Sequence, residues 1–109
     1  MGYHKYKKIV DACLKCMALC TNCASLCLKE ENVKMMAGCI QLDMECATVC
    51  YTTAQLMNLG SSMVSEISFL CADLCEACAA ECEKHDNDHC KECAEACRNC
   101  AKECRSLLA

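Results

Sequence analysis

Apolar positions recur along this chain at intervals of three and four residues, and cysteine occupies most of them. The fourth stretch repeats the steps of the first, which are three, four, three and four. This alternation forms one stripe along an α-helix, whereas a half-buried β-strand requires a period of two. The stripes consist of Cys13, Cys16, Cys20, Cys23 and Cys27; Cys39, Cys46 and Cys50; Cys71, Cys75, Cys78 and Cys82; and Cys90, Cys93, Cys97, Cys100 and Cys104. The pattern predicts four helices, each with a cysteine face.

Three polar interruptions separate the four stripes. They are the run 29–32, the segment 60–62 with Gly60 followed by two serines, and the run 85–89. Glycine favours a helix end, and serine, asparagine and aspartate favour turns and N-caps. We predict helices at residues 5–30, 33–59, 62–84 and 87–106. Short links make consecutive helices antiparallel, so the predicted fold is all-α, an up-down-up-down four-helix bundle in which residues 1–109 form one domain.

The seams between these helices are expected to contain larger apolar side chains that flank the cysteines. The candidates are Leu14, Leu26, Ile40, Val49, Ile67, Leu70 and Leu74. Leucine and isoleucine stabilise a core by about 25 cal/mol per Å² of buried apolar surface, which is more than cysteine provides. Seventeen cysteines in 109 residues are therefore expected to serve a chemical purpose rather than packing alone.

The cysteine count and the charge also indicate the compartment and exclude some partners. An odd number of cysteines, with no proline and only three glycines, is untypical of a secreted disulfide scaffold. The N-terminal residues lack an apolar signal core, so we expect the protein in the cytosol. A net charge of −4 argues against nucleic acid as a partner. No apolar run approaches 18 residues, so we expect no membrane span.

Inward-facing stripes would bring seventeen thiols together along one axis. Thiolates select Cu(I), Zn(II) or iron–sulfur clusters. One Cu(I) per thiolate is neutral, whereas a zinc ion with four thiolates carries −2, and the stripes contain no lysine or arginine to compensate. We therefore expect a non-enzymatic protein that binds many Cu(I) ions. An iron–sulfur electron carrier and a zinc-binding structural module remain the alternatives.

Two histidines mark one end of the predicted bundle, which we call the histidine end. His85 continues the third stripe three residues after Cys82, and His89 immediately precedes Cys90. Imidazole binds copper, so these histidines are predicted to form the place where ions enter. The opposite end, which we call the apolar end, is predicted to be plugged by Tyr6, Met57, Met63 and Leu107.

Several stripe positions hold residues other than cysteine. Met36 and Met57 extend the second stripe, and methionine fills gaps in cores more often than it binds metal. Asp43 and Ser68 also occupy stripe positions. For Asp43, the sequence allows a group that supports the metal ligands or a buried hydrogen-bond acceptor.

Three segments resemble the bacterial four-helix-bundle copper storage proteins, most of all their cytosolic branch. They are CIQLDMEC (39–46), CADLCEAC (71–78) and CEKHDNDHC (82–90), and the likeness extends from Asp11 to Arg105. The resemblance implies a tetramer of bundles, each filled with Cu(I) bound by cysteine pairs, with additional ions near histidines at one end. Carried over by position, the ligands are the seventeen cysteines together with His85 and His89. Ile9 and Ser68 stand where relatives can carry cysteine, and a copper chaperone is a possible loading partner.

Overall fold

Four antiparallel helices form the fold. The protein is described by a computed structural model that covers residues 2–108. The elements are α1 (Gly2–Cys27), a short 3-10 turn (Val33–Met36), α2 (Ala37–Asn58), α3 (Val64–Cys82) and α4 (Asp88–Leu108). Each helix packs against the next one along the chain, and α4 returns to pack against α1. The predicted all-α, up-down-up-down bundle is confirmed, with extents of 46 × 21 × 18 Å.

The link between α1 and α2 differs from the prediction. Helix α1 ends at Cys27 rather than near residue 30, because the backbone tightens there into turns of three residues. The N–H of Glu30 donates to the carbonyl of Cys27 over 3.2 Å. The 3-10 turn then precedes α2, which begins at Ala37 rather than at residue 33. Asn32 makes no side-chain capping bond to that turn, so the predicted N-cap is wrong there.

The end of α2 follows the prediction closely. Gly60 has a φ of +65°, which is the left-handed region that favours glycine. The N–H of Ser61 donates to the carbonyl of Leu56, and that of Gly60 to the carbonyl of Met57, both over 3.0 Å. These two bonds define a Schellman motif, which satisfies carbonyls that the helix end leaves free. Helix α3 then begins after Met63.

Alanine fills much of the space beside the cysteines, and the predicted seam residues Ile40 and Val49 are partly buried against the core. Leu14 and Leu70 are 38% and 48% exposed, so the predicted seams of leucine, isoleucine and valine are wrong at these positions. The buried alanines are Ala12, Ala24, Ala47, Ala54, Ala72, Ala79, Ala94, Ala96 and Ala101. The separation of packed helices depends on the side chains between them. Small residues at the seams therefore let the four cysteine faces approach each other.

Helix α1 corrects one expectation about membranes. It contains an 18-residue window with a mean hydropathy of 1.4, so by length and composition alone it could cross a bilayer. Cysteine counts as apolar in the hydropathy index, and the cysteines of α1 therefore raise its mean hydropathy. In the bundle, the cysteines of α1 are buried and the helix packs against α2 and α4, as expected for a core helix.

Candidate metal centre

All seventeen cysteines are free thiols in the interior, and each has a side chain with no solvent-exposed surface. They occupy the faces that the three- and four-residue spacing assigns to the bundle axis. Because consecutive helices run in opposite directions, each level along the axis receives thiols from several helices. The result is a column of sulfur atoms from the histidine end to the apolar end.

Neighbouring sulfurs are spaced to hold metal ions between them. The Sγ atoms of Cys39 and Cys82 are 3.4 Å apart, those of Cys46 and Cys75 are 3.5 Å apart, and many other pairs lie within 4.0 Å. These distances exceed the length of a disulfide bond, which is about 2.05 Å. A metal–sulfur bond is about 2.3 Å long, so an ion between two sulfurs can bridge up to about 4.6 Å. Ions therefore fit between thiols both along a helix and across helices.

The thiols also form groups of four in which all sulfurs lie within 4.8 Å of one another. Some groups share members, and sulfur–sulfur contacts between groups, such as Cys50 to Cys71 at 3.8 Å and Cys39 to Cys82 at 3.4 Å, extend the thiols into a continuous array rather than a row of separate tetrahedral sites. Examples are Cys23, Cys27, Cys39 and Cys90; Cys20, Cys78, Cys93 and Cys97; Cys16, Cys20, Cys46 and Cys97; Cys16, Cys46, Cys50 and Cys75; and Cys13, Cys71, Cys100 and Cys104. A continuous array favours many bridged ions over one structural ion.

Asp43 is a fully buried hydrogen-bond acceptor among these thiols. Its Oδ1 atom accepts from Cys78 at 3.2 Å, from Cys93 at 3.4 Å and from Cys82 at 3.5 Å. Its Oδ2 atom lies 3.7 Å from Sγ of Cys39. Burial, reinforced by the nearby thiols, raises the pKa of this carboxyl from 3.8 to about 10. The carboxyl is therefore neutral at pH 7 in the copper-free protein.

Among residues 2–108, the core offers no positive side chain to balance the net negative charge of a zinc ion bound by four thiolates. Within residues 2–108, the buried polar or charged side chains are Asp43, Thr53, Ser68 and Glu103. Zinc sites with four thiolates would place uncompensated negative charge in this interior, which is costly. One monovalent ion per thiolate leaves the interior neutral. The electrostatics of the core therefore favour Cu(I).

Two thiols at the histidine end, those of Cys27 and Cys90, have pKa values that favour the protonated form. Burial raises the pKa of the Cys90 thiol to about 11, and it also raises the pKa of the Cys27 thiol above its ordinary value. Thiolates are the metal-binding form, so a metal ion that binds these two thiols must displace their protons.

The two predicted histidines lie at the histidine end but differ in their contacts. The Nδ1 atom of His89 lies 3.5 Å from Sγ of Cys23, 3.6 Å from Sγ of Cys90 and 3.9 Å from Sγ of Cys27. The Nε2 atom of His85 lies 3.4 Å from a carboxylate oxygen of Glu81. Within residues 2–108, His85 has no thiol at hydrogen-bond distance. His89 is therefore the imidazole that the fold brings against the sulfur column.

At the opposite end, the predicted apolar plug is only partly correct. Met57 is fully buried, and Tyr6 and Leu107 are partly buried against the core. Met63 is 50% exposed and does not belong to the plug, because it precedes the first turn of α3. Met36, by contrast, is fully buried at the start of α2, near the histidine end.

Glu30 and Glu81 were missed by reasoning from the sequence. An oxygen of Glu30 lies 3.5 Å from Nε2 of His89. In the same way, an oxygen of Glu81 lies 3.4 Å from Nε2 of His85. Glu30 is in a link and far from His89 in the chain, so no spacing rule connects them. For Glu81, the short spacing to His85, which lies in the link just after α3, was a usable signal.

Comparison with known proteins agrees with this geometry. The family described as "Copper storage protein" matches residues 3–109. The Cu(I)-bound copper storage protein BsCsp3 is 44% identical with a TM-score of 0.92, and the match covers 100% of both chains. A cytosolic copper storage protein from Streptomyces lividans, in a structure with five coppers, is 36% identical with a TM-score of 0.93 over 98% of this chain and 94% of that one.

A protein of Bacillus subtilis strain 168 matches part of this chain. This cysteine-rich protein, YhjQ, is 48% identical over 67 residues, which are 62% of this chain and 62% of that protein. Together with the structural neighbours, these matches do not favour the iron–sulfur and zinc alternatives. Because the family match extends over residues 3–109, the chain belongs to the copper storage protein family.

Proposed function

We propose that this protein stores Cu(I), holding many ions on the thiolates of the bundle core, and that it is not an enzyme. The observation that supports this most strongly is the continuous array of seventeen buried, unoxidised thiols with neighbours within 4.0 Å. Solved relatives are described as Cu(I)-bound or as loaded with five coppers or ten copper equivalents. A core of this kind keeps Cu(I) away from water and from the metal sites of other proteins.

The proposed ligands are all seventeen cysteines together with His85 and His89. They are Cys13, Cys16, Cys20, Cys23, Cys27, Cys39, Cys46, Cys50, Cys71, Cys75, Cys78, Cys82, Cys90, Cys93, Cys97, Cys100 and Cys104, with the two histidines at one end. The contact of His89 with three thiols supports its inclusion. His85 is included as a second imidazole that can reach an incoming ion after a change of side-chain rotamer.

Copper is proposed to enter at the histidine end. The side chains of His85 and His89 are 13% and 11% exposed, so each ring reaches the surface while contacting the interior. Neutral imidazole can bind an incoming ion and pass it on to the thiols. At the other end, the thioether of Met57 is buried and has no exposed surface. The histidines therefore provide the transfer point between an external donor and the thiols.

The location of the entrance can be tested by comparing variants at the two ends. The double replacement His85→Ala/His89→Ala should slow both loading and removal by chelators, while the final copper content changes little. The controls are Met57→Ala and Met63→Ala, at the apolar end. Unchanged exchange in the double histidine variant, combined with slow exchange in the methionine variants, would place the entrance at the apolar end.

We also propose that the protein acts in the cytosol and receives copper from a copper chaperone. The free state of all seventeen cysteines supports a reducing compartment. The Streptomyces lividans relative is described as cytosolic. A chaperone that delivers Cu(I) directly to the histidine end would keep the concentration of free copper ions in the cell low.

A homotetramer is proposed as the assembly, and an apolar groove along α2 and α3 supports it. Val33, Ile40 and Met44 line one part of this groove, and Leu74 continues it beside Met44. Met44 is 50% exposed in the single chain. Light scattering should give about 48 kDa, four times the 12.0 kDa chain, and Met44→Glu should lower this mass. A wild-type mass near that of one chain would contradict the proposal.

A further inference from the structure

We propose that Glu30 is the positioning residue of the copper entrance, because its carboxylate holds the His89 ring with Nδ1 facing the thiols. The inference rests on the proposed function, in which His89 is an entry ligand. Glu30 lies in the link after α1, and His89 is the second residue of α4. The bundle brings them together across the histidine end, although they are far apart in sequence.

The two ring nitrogens of His89 face different surroundings. Nε2 lies 3.5 Å from Oε1 of Glu30. Nδ1 lies 3.5 Å from Sγ of Cys23 and 3.6 Å from Sγ of Cys90. The Glu30 side chain is 33% exposed and that of His89 only 11%. The ring is therefore held between a carboxylate near solvent and buried sulfur atoms.

The carboxylate determines which nitrogen of His89 carries the proton. An ionised carboxylate only accepts hydrogen bonds, so Nε2 must offer an N–H to it. The opposite tautomer would place the lone pair of Nε2 against a negative oxygen. In the favoured tautomer, Nδ1 keeps its lone pair, which can accept from a thiol before loading and bind Cu(I) afterwards. A carboxylate behind a metal-binding histidine commonly has this role.

The backbone fixes Glu30 in relation to the thiols. Its N–H donates to the carbonyl of Cys27 over 3.2 Å, and the Sγ atom of Cys27 lies 3.9 Å from Nδ1 of His89. The same short turn therefore carries both the carboxylate and one of the thiols that face the ring. The turn therefore fixes the carboxylate and this thiol relative to each other, with both facing the ring of His89.

The second histidine has the same type of partner. Nε2 of His85 lies 3.4 Å from Oε2 of Glu81. Gly38, near the start of α2, leaves room for that carboxylate, since a Cβ atom there would lie 3.3 Å from the same oxygen. In both imidazoles at the histidine end, Nε2 is thus the nitrogen that contacts a carboxylate. In both rings this leaves Nδ1 as the nitrogen available to copper.

The test compares Glu30→Ala with Glu30→Gln, and uses Glu31→Ala as the matched control. Glu31 is the exposed neighbour in the same link, so its loss changes the charge equally. In the reduced, copper-free wild type, long-range ¹⁵N–¹H correlation should show His89 as the Nε2–H tautomer. Glu30→Ala should give a mixture of tautomers and slow Cu(I) uptake about tenfold. Glu30→Gln should restore both properties, because its amide oxygen still accepts from Nε2–H.

A double-variant comparison separates positioning from other effects. Glu30→Ala/His89→Ala should take up copper at the rate of His89→Ala alone, because Glu30 acts through the ring. Wild-type tautomer and rate in Glu30→Ala would overturn the inference, as would a Gln variant that behaves like the Ala variant. The single variants at Glu30 and Glu31 should reach the wild-type final copper content, because they retain every proposed ligand. A wild type that takes up only a few ions would instead refute the proposed storage function.

Discussion

Replacing Asp43 by asparagine tests whether the buried carboxyl is neutral in the copper-free bundle. The asparagine side chain would keep an oxygen where Oδ1 of Asp43 now accepts from Cys78, Cys82 and Cys93. Its amide nitrogen would face Cys39 and donate towards it, as the protonated Oδ2 of the neutral carboxyl does. The substitution therefore preserves most hydrogen bonds while removing the ionisable group.

The size of the effect follows from the raised pKa of Asp43, which is about 10 in the folded protein against 3.8 ordinarily. At pH 7 the carboxyl must gain a proton on folding, across about three pH units. At about 1.4 kcal/mol per unit, this costs about 4 kcal/mol of stability. Because the folded pKa is raised, the stabilising contribution is complete below pH 3.8 and is lost as the pH rises towards 10. Asparagine does not incur this cost.

Urea unfolding of the reduced, copper-free proteins at pH 5, 7 and 9 measures the difference. The free energy of unfolding of Asp43→Asn should exceed that of the wild type by up to about 4 kcal/mol at pH 7, and the gap should widen by about 1.4 kcal/mol per pH unit. Asp86→Asn, at an exposed position in the link before α4, is the control. A gap that does not change with pH, or a wild type that is more stable at pH 7, would show that Asp43 is ionised in the fold.

Further predictions concern the copper-free state and Ser68. Far-ultraviolet circular dichroism should show a helical protein after chelation, because long helices packed in a bundle do not require the metal, and a largely unfolded chain would refute this. Alkylation and mass spectrometry of cytosolically expressed protein should modify nearly all seventeen cysteines, and a majority blocked as disulfides would contradict the cytosolic proposal. Ser68 has the only buried side-chain nitrogen or oxygen within residues 2–108 that lacks a hydrogen-bond partner. Ser68→Ala should therefore stabilise the copper-free protein by about 1 kcal/mol, and Ser68→Cys should bind about one more Cu(I). Lower stability in the first variant or unchanged copper content in the second would count against these expectations.

The helices and their cysteine faces could be predicted because they depend only on helix geometry. Spacings of three and four residues place Cys13, Cys16 and Cys20 on one face whatever surrounds them. Gly60 likewise indicated the end of α2, since its positive φ is a local backbone requirement. Features set within a few neighbouring residues were therefore accessible from the sequence.

Features that depend on how helices meet could not be predicted. Leu14 and Leu70 flank cysteines, yet they are partly exposed, whereas several alanines are buried beside the cysteines. The start of α2 was misplaced because the polar run before it predicts a turn but not the 3-10 turn at Val33–Met36. The contact of Glu30 with His89 joins two distant parts of the chain, and it depends on the relative register of α1 and α4. Such pairings require the three-dimensional arrangement of all four helices.

The central claim is that the thiol column holds many monovalent copper ions, and anaerobic titration of the reduced protein with Cu(I) tests it most directly. A chromophoric chelator that competes for Cu(I) would report the point at which the protein is saturated. With one ion per thiolate, saturation is expected on the order of seventeen ions per chain. Saturation at only four or five ions would contradict storage in a continuous thiolate core.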